Sequence, residues 1–368
     1  MRYCLSFVAM FLLLLTACAS VQKTQYDAIV DKNSSAKNAY VSVQAAIDAA
    51  PSTATRPYRI FIAAGDYYEK LVIAKPHIQL IGAEQNSTRI FYGAYAGQQS
   101  TDAGATKGQI WGTPGSATLI IRAANVQLQQ LTIENSFDFL ANDALDGDDP
   151  QRIANTQAVA LHLDTGSDQF FARNIRLLGY QDTLYVNSGR SWFDQSLIAG
   201  NVDFIFGKGN ALFTNSEIKT LGRGKPSDPH GYLVAPSTQI TSEFGLTFID
   251  CRLTRDASVP DNSTPLGRPW HPTTQFADGR YADPNAIGKA VFINSWMDAH
   301  ITLDGWSSMS GTAKDGSRIA FQPEDSRFFE FNSSGPGAVI NEKRRQLNNA
   351  EAKNYTKENI LGDWQSAF

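Results

Sequence analysis

Cysteine is scarce in this chain, with three in 368 residues. Cys4 falls in a signal-like N-terminal segment, Cys18 ends that segment, and Cys251 stands alone. An intramolecular disulfide framework is thereby excluded, and stability has to come from packing and backbone hydrogen bonds. Charge is also sparse: 18% of residues are charged and the formal net charge is −4. That balance argues against a nucleic-acid partner, which usually calls for a basic face. The one basic run, Lys343-Arg344-Arg345, reads as solvated surface. The acidic run DALDGDDP at 143–150 lacks the EF-hand pattern and reads as a solvated loop. The five histidines, His77, His162, His230, His271 and His300, show no metal-ligand spacing, so no metal or other cofactor is expected. No Gly-x-Ser-x-Gly elbow is present, which speaks against a serine esterase.

Long apolar runs are missing too. The longest, Leu5 to Leu15, has 11 residues, too few to span a bilayer as a helix. Preceded by Arg2, it reads as a secretory signal peptide over 1–17. The ending Leu15-Thr16-Ala17-Cys18 resembles a bacterial lipobox, which implies lipidation of Cys18. Ala19 in place of aspartate favours, by analogy, an outer-membrane lipoprotein facing the periplasm and held through its acyl chains. Polar residues at 18–37 read as a tether, and 38–368 as one domain.

Helical periodicity is confined to the ends of that domain. In SVQAAIDAAP, Ser42 is the expected N-cap, Val43, Ala46, Ile47 and Ala50 share a face, and Pro51 helps to stop the helix. NNAEAKNYTKENIL near the C-terminus reads as short helices. Between them runs a weak repeat: apolar, one residue, Asn or Asp, two residues, apolar. Its copies start at Ala172 (a looser copy), Trp192, Phe213, Phe248 and Phe292. A period near 21 residues in short β-like units points to an all-β, single-domain parallel β-helix; a β-sandwich with evenly spaced strands is the alternative.

That period gives meaning to two aspartates. Asp182 and Asp203 are 21 residues apart, so a solenoid places them on adjacent turns, about 4.8 Å apart along the axis. Gln157 falls on the turn before Gln181. Carboxylates that close cannot both ionise freely: one is held protonated while the other stays charged. Such a pair suits ester hydrolysis through a carboxylate nucleophile or retaining glycoside hydrolysis. A ladder of turn-forming Asn and Asp is the non-catalytic reading.

The motifs GYQDTLY (179–185), GNVDFIFG (200–207), LGRPW (266–270) and QAVAL (157–161) resemble those of the pectin methylesterases, carbohydrate esterase family 8. VQAAIDAAP, GDYYEK, GYLVAPST, GWSSMSG and RFFEFNSSGPGA extend the resemblance over roughly 38–364, particularly to the bacterial branch. It implies a right-handed parallel β-helix and removal of methyl esters from galacturonate units of pectin or methylated oligogalacturonides. Asp203 is then the nucleophile and Asp182 the acid/base. Gln181 and Gln157 hold the oxyanion, Arg268 orients Asp203, and Trp270, Phe206, Tyr185 and Met309 line the sugar groove. The chain is expected to act as a monomer, and its periplasmic placement favours imported oligomers as substrate. A polygalacturonase or pectate lyase on a similar solenoid, or a non-catalytic envelope lipoprotein, is the alternative function.

Overall fold

One backbone conformation, repeated down the chain, sets the architecture. Asn174, Gln195, Asn215, Asp250 and Asn294 all have φ between 49 and 55°. Each separates two short strands, as Asn215 separates Asn210–Thr214 from Glu217–Thr220. A single left-handed residue turns the chain sharply, and Asn and Asp tolerate that region better than most side chains. A third strand completes the turn of the solenoid, and the next turn pairs with it in parallel. The computed structural model describes residues 26–364 apart from 32, 35 and 101–107. Among these residues the turns generate sheets of eleven, eight and six strands, the parallel β-helix expected from the repeat. The signal peptide expected at 1–17, the lipidation expected at Cys18 and the first part of the tether lie outside the described residues.

Strand pairing corrects the repeat by one residue. Phe193, and not Trp192, lies opposite both Ala172 and Phe213. Side chains alternate between faces, so a slip of one residue would turn Phe193 out and Trp192 in. Phe193 is fully buried, whereas Trp192 lies on the outside against Phe171, beneath the Lys357 ammonium. Phe193, Phe213, Phe248 and Phe292 stack through the core with ring centroids 4.9, 4.5 and 4.5 Å apart. Beside this stack runs an inner row of small residues: Ser196, Ser216, Cys251 and Ser295. Each donates to the carbonyl two residues earlier. The lone cysteine is thus one rung of a serine ladder, and burial pushes its thiol up to about 12.

A helix covers the first turn. Val43–Asp48 is helical, Ser42 accepts from the Ala45 N–H at 3.2 Å, and Val43, Ala46 and Ile47 are buried. The tether is shorter than expected, because Ala28–Val30 is a strand paired with Tyr58–Ile62 and with Ala39–Tyr40. Ala28 and Val30 supply an apolar inward face. The C-terminal segment lies instead along the outer face of the eleven-stranded sheet: Ile360 and Leu361, on the short helix Lys357–Leu361, and Trp364 pack on Phe171, Leu212 and Phe244, and Ala352, ending the helix Asn349–Ala352, packs with Val291 and Ile293. The basic run is not wholly solvated: Arg344 is buried. Its guanidinium donates to Glu330 at 2.8 and 2.6 Å and to the Gly337 carbonyl at 2.7 Å, the pairing a buried charge requires.

Candidate active site

The site forms where the chain passes from the eight-stranded to the six-stranded sheet. Leu184 lies opposite Ile205 and Tyr185 opposite Phe206, and Gln181 bridges to Val202. The pairing offset is the 21 residues seen in the sequence, so Asp182 sits over Asp203. Both aspartates are left-handed, with φ of 66 and 49°. The Asp182 N–H donates to the Val202 carbonyl at 3.0 Å. The pairing of Val202–Gly207 with Tyr232–Pro236 shifts register between Val202 and Ile205, an irregularity that re-aims the Asp203 side chain. Gly207 has φ 122°, and a Cβ there would strike the Val186 carbonyl, which accounts for the glycine ending VDFIFG.

Arg268 arrives from a later turn, its N–H donating to the Val234 carbonyl at 3.0 Å. Its fork grips Asp203: Nε donates to Oδ1 at 2.9 Å and Nη2 to Oδ2 at 2.6 Å. The guanidinium also lies 3.8 Å from the centre of the Tyr232 ring. Asp182 is buried with no such clamp. Burial first, then the charge of Asp203, lifts its carboxyl well above the usual range, with Arg268 pulling the other way. The two carboxyls are therefore distinguished by environment: Asp203 lies in a bidentate guanidinium fork, whereas desolvation makes Asp182 hold its proton more tightly. Beside them the Thr156 hydroxyl donates to Gln181 Oε1 at 2.8 Å. That contact fixes the amide and leaves its NH₂ group to donate elsewhere.

Gln157, Gln181, Asp182, Asp203, Tyr185, Phe206, Arg268, Trp270 and Met309 all line one cleft of about 720 Å³. Its floor is aromatic. Tyr185 stacks on Phe206 at 4.3 Å, His162 stacks on Tyr185 at 4.5 Å, and Trp270 meets Phe206 edge-on at 5.6 Å. Sequence reasoning missed Thr156, Tyr232 and the walls at Thr113, Pro114, Thr273 and Arg280. Thr273 and Arg280 belong to an antiparallel hairpin, Thr273–Phe276 with Gly279–Ala282, which interrupts the solenoid period and carries no repeat signal. A second hollow of about 630 Å³ adjoins the cleft at Gln181 and includes Asp143 and Arg223. Asp143 departs from the expected solvated loop: it is buried and clamped by Arg223 at 2.7 and 2.8 Å. Among the described residues no group of three or more His, Cys, Asp or Glu could hold a metal ion.

Fold and site together define a solenoid enzyme with a paired-carboxylate centre in an aromatic groove. The pectinesterase family model matches residues 27–363. Pectinesterase A of Dickeya dadantii is 46% identical over 357 residues, covering 95% of each chain. Pectin methylesterase PemA from Erwinia chrysanthemi superposes with a TM-score of 0.88 at 46% identity, covering 94% of this chain and 99% of that one. A pectin methylesterase solved in complex with a hexasaccharide gives 0.89, with the same identity and coverage. The chain belongs to the pectinesterase family.

Proposed function

We propose that this protein hydrolyses methyl esters of galacturonate units in pectin or methylated oligogalacturonides, releasing methanol. The observation that carries this reading is the contrast between Asp203, bound in a bidentate guanidinium fork, and Asp182, buried on the adjacent rung with its carboxyl pushed well above the usual range. In the first step an Asp203 carboxylate oxygen attacks the ester carbonyl carbon. The tetrahedral oxyanion is held by the side-chain amides of Gln157 and Gln181. The C–OCH₃ bond then breaks, and the departing oxygen takes the Asp182 proton and leaves as methanol. Asp182, now a carboxylate, removes a proton from water, whose oxygen attacks the acyl-enzyme carbonyl. Asp203 is released as a carboxylate, and the galacturonate acid is the product. Trp270, Phe206, Tyr185 and Met309 present apolar faces to the sugar rings. All of these groups come from one chain, in keeping with action as a monomer.

The test is product analysis on methylated oligogalacturonides. Methanol release without new reducing ends or ultraviolet-absorbing unsaturated products is expected from the wild type, with none from Asp203→Ala. New chain ends would indicate a glycosidase or lyase instead. We also propose that Cys18 carries lipid and holds the enzyme at the outer membrane, facing the periplasm. This rests on the Leu15-Thr16-Ala17-Cys18 ending and the apolar run before it. Cys18→Ser should move the protein from the membrane to the soluble fraction; an unchanged membrane fraction would remove the lipid from the account.

A further inference from the structure

An aromatic cluster stands outside the catalytic centre and makes no contribution to the mechanism. Tyr68 ends the strand Gly65–Tyr68 and is 62% exposed. Its ring stacks on Tyr92 at 5.0 Å, with an interplanar angle of 29°. The Lys70 ammonium lies 5.8 Å from the Tyr92 ring centre and 4.6 Å from that of Trp111. Three rings and one cation thus lie together, with Tyr68 on Tyr92 and the Lys70 ammonium between Tyr92 and Trp111. Core packing does not require Tyr68 in that position, because the inward-facing residue of this strand is Tyr67, which is buried.

The cluster is joined to the cleft. Trp111 leads directly into the short helix Gly112–Gly115, whose Thr113 and Pro114 form part of the cleft wall. The Gly112 N–H donates to the Ala96 carbonyl at 2.9 Å, and the Ala96 N–H donates to the Gln157 carbonyl at 2.8 Å. The segment carrying the aromatic surface is therefore fastened to the backbone of a residue in the proposed oxyanion site. Along the six-stranded sheet, Leu71–Ile73 lies three strands from Leu184–Val186, which places the cluster roughly 14 Å along the axis from the Asp182 rung. Local charge is mixed, with cations among the carboxylates, and Glu69 is taken up by the Val43 and Gln44 N–H groups. Arg89 neutralises Glu134 at 2.7 Å and approaches Asp66 at 3.7 Å, and Lys70 adds a positive charge between the rings.

We propose that Tyr68, Tyr92 and Trp111 are a sugar-stacking platform for a remote stretch of the galacturonan chain whose ester occupies the cleft, an inference that rests on the pectinesterase reading above. The apolar faces of pyranose rings lie flat on aromatic rings, so the platform grips the chain without regard to esterification. It contributes to affinity for long substrates and takes no part in the chemistry.

The experiment compares Tyr68→Ala and Trp111→Ala with wild type on two methylated oligogalacturonides, one filling only the cleft and one long enough to reach the platform. KM for the long substrate should rise about tenfold, the worth of one well-placed ring, with kcat unchanged. Both parameters should stay at wild-type values for the short substrate. Tyr68→Phe should restore the long-substrate KM. Equal effects on both lengths, or no effect on the long one, would overturn the platform. Direct binding of a long unesterified oligogalacturonide provides a readout independent of turnover. Weaker binding by Tyr68→Ala supports the platform even if no ester is hydrolysed, and unchanged binding removes it even if methanol is released.

Discussion

Two corners of the solenoid use the same left-handed residue to opposite ends. At the corner between the eleven- and eight-stranded sheets, Gln195, Asn215, Asp250 and Asn294 turn the chain and point to solvent. Two of them bond along the rungs: Asn215 Nδ2 donates to Asp194 Oδ1 at 3.2 Å, and Asn294 Oδ1 accepts from Asn332 Nδ2 at 2.9 Å. At the corner between the eight- and six-stranded sheets, Asp182 and Asp203 adopt the same φ range but are buried, 8% and 7% exposed. Walls supplied by long insertions and by the segment around Arg268 remove water from the second corner. The backbone device is shared. What separates a turn former from a reactive carboxyl is desolvation and one guanidinium, and neither belongs to the repeat.

The sharpest way to break this comparison is to exchange the residue types. Asp203→Asn keeps a side chain suited to the left-handed turn but leaves the Arg268 guanidinium without its carboxylate, so the protein should still fold with a lowered melting temperature while methanol release falls by at least about 10⁴-fold. The reciprocal Asn215→Asp should leave the rate alone. If Asp203→Asn retains substantial turnover, the two corners are chemically equivalent and the proposed nucleophile is wrong. Next in size is Gln181→Ala, which removes one proposed oxyanion donor and should lower kcat by about 10²–10³-fold. Thr156→Val, which unlocks only the amide's orientation, should show a smaller loss in the same assay.

Titration sharpens the comparison further. In the proposed mechanism Asp182 gives its proton to the departing methanol, so kcat should decline as pH rises through its raised value, and Asp182→Asn should abolish that dependence along with most of the activity. The stability consequence has the same direction. A carboxyl whose folded pKa is raised binds more protons in the native state than in the unfolded chain. Stability therefore decreases from an unfolded value of about 3.9 upward through the folded one. Denaturant unfolding of Asp182→Asn should be less sensitive to pH over that window and more stable than wild type above it. Equal pH slopes in the two proteins would mean that Asp182 is not desolvated. The smallest effects belong to the outer corner and its inner row. Asn215→Val forces a β-branched residue left-handed and should lower stability by about 1–2 kcal/mol with kcat intact. Cys251→Ser should change the melting temperature least, because serine already fills the rungs on either side of it.

Much of this was readable along the chain. The period near 21 residues identified the solenoid because each turn repeats the same corner, and corners restrict residue type. It also paired Asp182 with Asp203, since pairing offset and sequence spacing are the same quantity in a stacked turn. The helix after Ser42 was legible from its cap and its apolar face. The slip at Trp192 escaped because two adjacent aromatics, Trp192 and Phe193, satisfy the pattern equally well until packing chooses which face is inward. Arg344 and Asp143 escaped because charged residues are solvated by default, and only a partner elsewhere in the chain, Glu330 or Arg223, permits burial.

The sequence by itself therefore determined the architecture and the identity of the stacked acids, because strand length, turn conformation and periodicity are properties of the local backbone. Tertiary structure alone decided which acid is clamped by a cation and which is left desolvated. That choice depends on Arg268 reaching Asp203 across 65 positions of sequence and on the withdrawal of water from Asp182. Both are through-space electrostatic effects, set by what the finished fold brings near and not by the order of residues along the chain.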